Sequence, residues 1–413
     1  MDNFIQSLKL RGCIDALSHE SLNELKEPLT VYCGFDPTAD SLHLGNFVAI
    51  MGLARFKRAG HKVVAIVGGA TGMIGDPSGK SVERNLLDEE TIKKNMIGIS
   101  KTLNQILGDD VPIINNYDWY KDFNFISFLR EVGKQFRMGI MLSKESVKAR
   151  LNSEEGLSFT EFCYQILQAY DFLWLNEKHG VNAQIGGADQ WGNITAGIEL
   201  IRKEKGKEVY GITFPLLTKA DGSKFGKSEK GAIWLNAEKL SPYEFFQHLI
   251  RTDDRDVIKL LKMITFVDLG EIEELEKRME SEPGVAQKRL AEAVTEMVHG
   301  KEGLDSAKKT TELAQPGHNV NLSLETFKLL ENEIKPIEIA KDQIGKKWVD
   351  LLAETQILAS KGDVRRLIKN NGLTINNQKV SDEGALLQID QLVGDGYVLV
   401  TTGKKTKYIL RIR

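Results

Sequence analysis

Apolar positions in the first half of the chain follow two alternating rhythms. Leu29-Thr30-Val31-Tyr32-Cys33-Gly34-Phe35 is a short run rich in β-branched and aromatic residues, which predicts a strand. After a turn at Asp36-Pro37-Thr38, the stretch from Leu44 to Arg58 places Phe47, Ile50, Met51 and Ala54 at i, i+3, i+4 and i+7. That spacing predicts one face of an amphipathic helix, closed by Gly60. Lys62 to Val67 predicts a second strand, whose unbroken core Val63-Val64-Ala65-Ile66-Val67 fits burial on both faces. A helix over about 88–107 and a strand at Val111-Pro112-Ile113-Ile114 follow. Strand–helix–strand units at this spacing predict an α/β fold built on a parallel sheet with right-handed crossovers. In such sheets the ligand lies beyond the carboxyl ends of the strands, here around Tyr32, Gly68 and Gly69.

From about Ser241 to Leu313 helical patterns succeed one another, predicting a second, helical domain that Gln315-Pro316-Gly317 interrupts. Residues 321–345 are weakly periodic and read as a linker. Beyond Trp348 the pattern predicts a helix over Asp363–Asn370 stopped at Gly372, then strands at Leu373-Thr374-Ile375, Tyr397-Val398-Leu399-Val400 and Tyr408-Ile409-Leu410. The expected division is therefore 1–220, 221–320, the 321–345 linker and a small α+β module over 346–413.

Composition narrows the class. The 413 residues are 41% hydrophobic and 27% charged, ordinary for a globular chain and unlike disordered, collagenous or coiled-coil sequences. No apolar run is long enough to span a bilayer, so no membrane partner is expected. Cys13, Cys33 and Cys163 form no C-x-x-C pair, which disfavours a disulfide framework and a structural zinc site, and no metal ligands are assigned. The start, Met1-Asp2-Asn3-Phe4-Ile5, lacks a secretory layout, and a cytoplasmic location is expected. Net charge is −3 overall but +5 from Lys341 to Arg413, a basic terminal module of the kind that meets a polyanion.

Four constellations carry chemistry. Pro37-Thr38-Ala39-Asp40-Ser41-Leu42-His43-Leu44-Gly45-Asn46 leads into a helix N-terminus, where unpaired N–H groups suit a phosphate. His43 would bond phosphate oxygens and Gly45 would let a purine approach the backbone; taken alone, such a histidine is more often a surface or capping residue. Asp221-Gly222-Ser223-Lys224-Phe225-Gly226-Lys227-Ser228 sets two ammonium groups on a glycine-rich loop, without the G-x-x-x-x-G-K-[ST] spacing of a P-loop. Gly72-Met73-Ile74-Gly75-Asp76-Pro77-Ser78-Gly79-Lys80, with Arg84 beyond it, offers a carboxylate for an ammonium group and cations at a rim. On a helix, Tyr164, Gln168 and Asp171 share one face, a polar stripe that is costly to bury without a partner. Gln184-Ile185-Gly186-Gly187-Ala188-Asp189-Gln190 adds a glycine-rich strand end with a terminal carboxylate.

The order of these segments is more specific than any one of them. A strand ending in a His-x-Gly turn, with a Lys-x-x-Lys-Ser loop 181 residues later, resembles the class I aminoacyl-tRNA synthetases. Tyr32 to Asp36, Gly75 to Lys80, Tyr164 to Asp171 and Gln184 to Asn193 resemble the bacterial tyrosyl-tRNA synthetase family in particular, over essentially the whole chain. The resemblance implies a Rossmann-like catalytic domain, a helical anticodon-side domain and a small C-terminal RNA-binding domain. It implies that L-tyrosine is activated with ATP and passed to tRNA(Tyr), with Mg²⁺ carried chiefly on the nucleotide phosphates, in a symmetric homodimer.

By the same resemblance, Tyr32 and Asp171 bind the phenolic hydroxyl, while Asp76, Tyr164 and Gln168 hold the ammonium group. Gln190 approaches the carboxylate, and Asp189 and Gly187 bind the ribose beside Cys33. Gly34, Asp36, Gly45 and Asn46 complete the nucleotide site. Thr38 and His43 stabilise the phosphates in the transition state, and Lys80, Arg84, Lys224 and Lys227 close over the leaving pyrophosphate. Three departures stand out: Asn46 where a second histidine is common, Phe225-Gly226 in place of Met-Ser between the lysines, and Ala49, which offers no hydroxyl. Two other readings compete: a related adenylating enzyme, such as the tryptophan counterpart or a vitamin-pathway adenylyltransferase, and a non-catalytic RNA-binding relative. Tyr32 with Asp171 disfavours the first, since an indole has no hydroxyl there, and the retained lysines disfavour the second.

Overall fold

The computed structural model describes residues 4–25, 27–78, 87–154, 156–223, 225–228, 231–313, 322–331, 333–403 and 406–413. They form two compact units, one of residues 1–239 and 252–294, the other of 240–251 and 295–413.

The first unit is built on a six-stranded sheet. Its strands are β1 (Ala16–Leu17), β2 (Thr30–Phe35), β3 (Lys62–Val67), β4 (Ile113–Asn115), β5 (Ala183–Gly187) and β6 (Tyr210–Phe214), in the order β1-β6-β5-β2-β3-β4. Only β1 runs antiparallel, against β6; every other pairing is parallel. From β2 the chain winds outward through β3 and β4, then crosses back to lay β5 on the other side of β2. The strand order therefore reverses between β2 and β5, and a crevice opens there at the carboxyl ends. The predicted bounds of β2 and β3 agree with the structure to within a residue. In both, the buried sequence is nearly continuous because helices cover both faces.

Helices Phe47–Arg58, Glu89–Leu107, Phe159–His179 and Trp191–Lys205 belong to this unit, and the first and third of them line the crevice. The second begins where Asp88 accepts from the Thr91 N–H, the third where Ser158 accepts from the Glu161 N–H, side-chain caps that each satisfy an orphan donor. Gly180, at φ 64°, ends the third in a left-handed turn.

Residues 252–294, expected inside a helical domain over 221–320, lie in the first unit. The cause is visible in one side chain. Arg55, on the Phe47–Arg58 helix, is buried and its guanidinium donates to the carbonyls of Lys262 (3.0 Å), Met263 (3.4 Å) and Thr265 (2.5 Å), capping the end of helix Asp254–Ile264. Arg11 adds a bond to Val267 O at 2.8 Å. Cations at a helix C-terminus satisfy both its free carbonyls and its dipole.

A two-stranded ribbon, β7 (Lys227–Ser228) with β8 (Gly231–Ala232), follows β6. In the second unit, β9 (Ile337–Ile339), β10 (Leu373–Ile375), β11 (Gln378–Lys379), β12 (Tyr397–Thr402) and β13 (Thr406–Ile412) form a sheet in the order β11-β10-β12-β13-β9. It packs on helices Trp348–Glu354 and Lys361–Lys369 around Trp348, Leu352, Val364, Val398 and Leu410. Residues 321–345, read as a linker, contain helix Leu324–Glu331 and strand β9, which pairs in parallel with β13 at the sheet edge. A three-residue strand beyond Pro336 is too short to show a period of two.

Candidate active site

Every expected site residue that the structure describes, Lys227 apart, lines one cavity of about 600 Å³ at the carboxyl ends of β2 and β5. Lys227 lies in β7, and Lys80, Arg84 and Lys224 fall outside the described residues.

The floor of the cavity is a chain of buried hydrogen bonds. Asp171, from helix Phe159–His179, accepts from Trp119 Nε1 at 2.9 Å and from Asn116 Nδ2 at 3.1 Å. Asn116 also donates to Thr71 Oγ1 (2.9 Å), Thr71 donates to Asp36 Oδ1 (2.8 Å), and Tyr164 Oη donates to Asp36 Oδ2 (2.7 Å). Burial raises the Asp171 carboxyl to about 7, against the pull of its Asn116 and Trp119 donors. Tyr32 stands on β2 with its hydroxyl buried and without a hydrogen-bond partner, and burial beside Asp171 pushes its phenol well above the ordinary range. An acidic acceptor next to an unpartnered hydroxyl fits one more hydroxyl, since a buried polar group left alone costs about 1–3 kcal/mol.

A second carboxylate sits higher. Asp76 accepts from Gln190 Nε2 at 2.6 Å and from the Ser78 N–H at 2.9 Å, with Asn193 Nδ2 at 3.5 Å. Asn193 also donates to Gln168 Oε1 at 3.1 Å. The residues expected around an ammonium group are thus gathered, but not as one cluster. Tyr164 is bound to Asp36 rather than to Asp76, so two carboxylates, not one, face that side.

At the opposite rim the His43-Leu44-Gly45 turn enters helix Phe47–Arg58. The Gly45 N–H donates to His43 Nδ1 at 3.1 Å, so Nδ1 carries a lone pair and the proton sits on Nε2. Asn46 spends its Oδ1 on the His43 N–H at 3.1 Å, which accounts for an amide at that position and keeps its NH₂ for an acceptor. A side chain at Gly45 would lie 2.9 Å from the His43 ring. The glycine is therefore required by the histidine itself as well as by any close approach of a ligand.

Sequence reasoning missed Thr71, Asn116 and Trp119. Asn116 had a signal, a polar residue at the carboxyl end of β4; Trp119 had none, since its indole reads as core.

A family model described as tRNA synthetases class I (W and Y) matches residues 23–314, and one described as Tyrosine--tRNA ligase SYY-like C-terminal domain matches residues 327–410. The chain is 56% identical over its full length to a tyrosine--tRNA ligase of Protochlamydia amoebophila, covering 99% of that protein. It belongs to the tyrosine–tRNA ligases of class I. A chloroplastic/mitochondrial tyrosine--tRNA ligase of Arabidopsis thaliana is 47% identical over 99% of this chain and 84% of its own length. Among solved structures, a C-terminally truncated mitochondrial tyrosyl-tRNA synthetase of Aspergillus nidulans superposes with a TM-score of 0.67 at 30% identity, over 75% of this chain and 93% of its own. The Archaeoglobus fulgidus enzyme complexed with L-tyrosine, 16% identical, shares the fold with a TM-score of 0.54 over 73% of this chain and 99% of its own.

As a tyrosine–tRNA ligase, the protein joins L-tyrosine to ATP as tyrosyl-adenylate, releasing pyrophosphate, and transfers the tyrosyl group to tRNA. The tyrosine carboxylate is ionised at neutral pH and needs no protein base to attack the α-phosphorus. What a ligase site must supply is alignment and stabilisation of charge on the leaving diphosphate. A cavity ringed by positioned donors and acceptors is built for that task.

Proposed function

We propose that the ligase holds tyrosine along the cavity floor, with its phenol hydroxyl between Tyr32 and Asp171 and its ammonium group toward Asp76, Gln168 and the Tyr164–Asp36 pair. Gln190, tied to Asp76, faces the carboxylate. ATP lies against Cys33, Gly34, Asp36, Gly45, Asn46, Gly187 and Asp189, with Thr38 and His43 Nε2 on the phosphates. Lys80, Arg84, Lys224 and Lys227 draw off the pyrophosphate. Mg²⁺ bound to the triphosphate would spread the phosphate charge, in keeping with a cation that prefers phosphates and few protein carboxylates.

The observation that carries this reading is the buried Tyr32 hydroxyl, left without a partner beside the Asp171 carboxylate, an arrangement that matches a phenol and not a phenyl ring or an indole. A site built to bond a hydroxyl rejects the analogue lacking it; discrimination of about 10⁵ against phenylalanine is the known case for this enzyme type. Pyrophosphate exchange is the test. Tyr32→Phe should raise KM for tyrosine about 2–13-fold, the loss of one neutral hydrogen bond of about 0.5–1.5 kcal/mol, and narrow the preference over phenylalanine without moving KM for ATP. Equal losses for tyrosine and phenylalanine would refute the assignment.

The remaining parts of the proposal concern assembly. Among the described residues, eight of the 13 exposed large hydrophobic side chains fall within residues 125–159: Phe125, Ile126, Leu129, Met138, Ile140, Leu142, Leu151 and Phe159. Apolar exposure concentrated this way marks an interface, and its occupant is a second copy of the chain, giving a homodimer. Catalysis belongs to the first unit, anticodon-side contacts to the helices of residues 240–313, and further RNA contacts to the basic module of β9–β13. No helix among the described residues is long and apolar enough to cross a membrane, and the ligase works in the cytoplasm beside its tRNA.

A further inference from the structure

Thr38 is exposed at the cavity, yet the turn that presents it is pinned from behind. Asn95, buried on helix Glu89–Leu107, donates its Nδ2 to the Pro37 carbonyl at 2.9 Å. One turn further along the same face, Gly98 lies so close to the loop that a Cβ would come within 1.9 Å of the Asp40 carbonyl oxygen. On the other side, a Cβ at Gly72 would meet the Pro37 ring at 2.8 Å. The Pro37–Asp40 backbone is therefore seated between two helices, with one directional bond fixing its rotation. Neither Asn95 nor Gly98 touches the cavity.

We propose that Asn95 and Gly98 form the seat of the phosphate-side turn, and that Asn95 is a positioning residue for adenylate formation, acting through Thr38. This rests on the assignment of Thr38 to the phosphates. Alignment matters most where charge develops, and a displacement of about 1 Å can cost 10²-fold in rate. The seat bears on the diphosphate end of the cavity: it holds Pro37 and Asp40, while Asp36, the residue before the turn, is held by its own bond from Thr71 in the chain that runs through Asn116 to Asp171.

The test is pyrophosphate exchange with the full chain bearing Asn95→Asp, which keeps the shape and removes the donor, or Gly98→Ala, each alone and combined with Thr38→Ala, with melting temperatures measured alongside. Each single variant should lower kcat roughly 10–100-fold while KM for tyrosine stays within about twofold. Neither should lower kcat further once Thr38 is alanine. Unchanged kcat, losses that multiply with that of Thr38→Ala, or a fall in kcat that comes with a matching rise in tyrosine KM would overturn the proposal. If Thr38→Ala alone left kcat intact, the assignment of Thr38 itself would fail, a result distinguishable from the others.

Discussion

Replacing Trp119 by phenylalanine removes one hydrogen bond from the Asp171 carboxylate and leaves that of Asn116 in place. The indole N–H lies 2.9 Å from Oδ1, while Asn116 continues to serve Oδ2. A hydrogen bond to an ionised group is worth about 1.5–3 kcal/mol, which at 1.36 kcal/mol per unit is roughly 1–2 pKa units. The Asp171 carboxyl, at about 7 in the parent, should therefore move to roughly 8–9. Tyr32, Tyr120 and the Asp36 charge face the same group and are unchanged by the substitution. If the ionised carboxylate is the form that accepts the phenol, its share at pH 7.5 drops from about 75% to roughly 25–3%. KM for tyrosine should then rise about 3–25-fold at pH 7.5, more at pH 6.5, and within about twofold of the parent at pH 9. Stacking on Trp174, with ring centroids 4.2 Å apart, is partly kept by a phenyl ring, and any packing loss shows in the melting temperature instead. Pyrophosphate exchange at tyrosine concentrations spanning KM, from pH 6.5 to 9, measures the effect. A KM offset that does not change with pH would refute the reasoning.

The same carboxylate predicts a stability effect of definite sign. Between about pH 4 and 7 the folded chain keeps a proton that the unfolded chain has released, so Asp171 subtracts stability as pH rises through that window; the melting temperature of Asp171→Asn should gain on the parent across it, and parallel profiles would contradict this. Ile140→Asp, at an exposed apolar position, should convert a species of about twice 46.2 kDa into one of 46.2 kDa in sedimentation equilibrium, and an unchanged mass would remove this face from the interface. A chain ending at Lys335 keeps Glu333, whose carboxylate accepts from the Tyr243 N–H and from Ser306, but loses all of β9–β13. It should retain pyrophosphate exchange while tRNA charging falls at least tenfold; loss of both activities would make the module structural.

How much of this was legible depended on whether burial and chemistry act locally. β2 and β3 could be read because strands covered on both faces must be apolar throughout, and the signature segments could be read because each is contiguous in sequence, on the one strand end, turn or helix face that presents it. β6 was not, since its five residues include Gly211 and follow the charged stretch from Arg202 to Glu208. The two-residue β1 has no pattern at all. The split of the helical region was hidden for another reason: Arg55 looks like the polar face of an amphipathic helix, and only the fold shows it reaching a helix end 207 residues away. Thr71, Asn116 and Trp119 matter because they touch Asp36 and Asp171, and no spacing rule joins positions 71, 116, 119 and 171.

Phe225-Gly226, in place of the common Met-Ser between the lysines, has a physical account of the same kind. Gly226 stands at φ 96°, and a Cβ there would lie 2.7 Å from the backbone nitrogen of Gly45. Any other residue at 226 would meet both left-handed strain and a backbone collision. Phe225 beside it is buried, its N–H donating to Leu217 O at 2.9 Å, while Ile233 bridges the two signatures by donating to Gly226 O and accepting from the Leu44 N–H. The segment between the two lysines is therefore packed against the His-x-Gly turn backbone to backbone. A methionine and a serine would offer a smaller apolar anchor and a Cβ in the wrong place. Phe225-Gly226 keeps the start of the lysine loop in register with the histidine turn, so the difference from Met-Ser lies in how the loop is anchored, and both ammonium groups are retained.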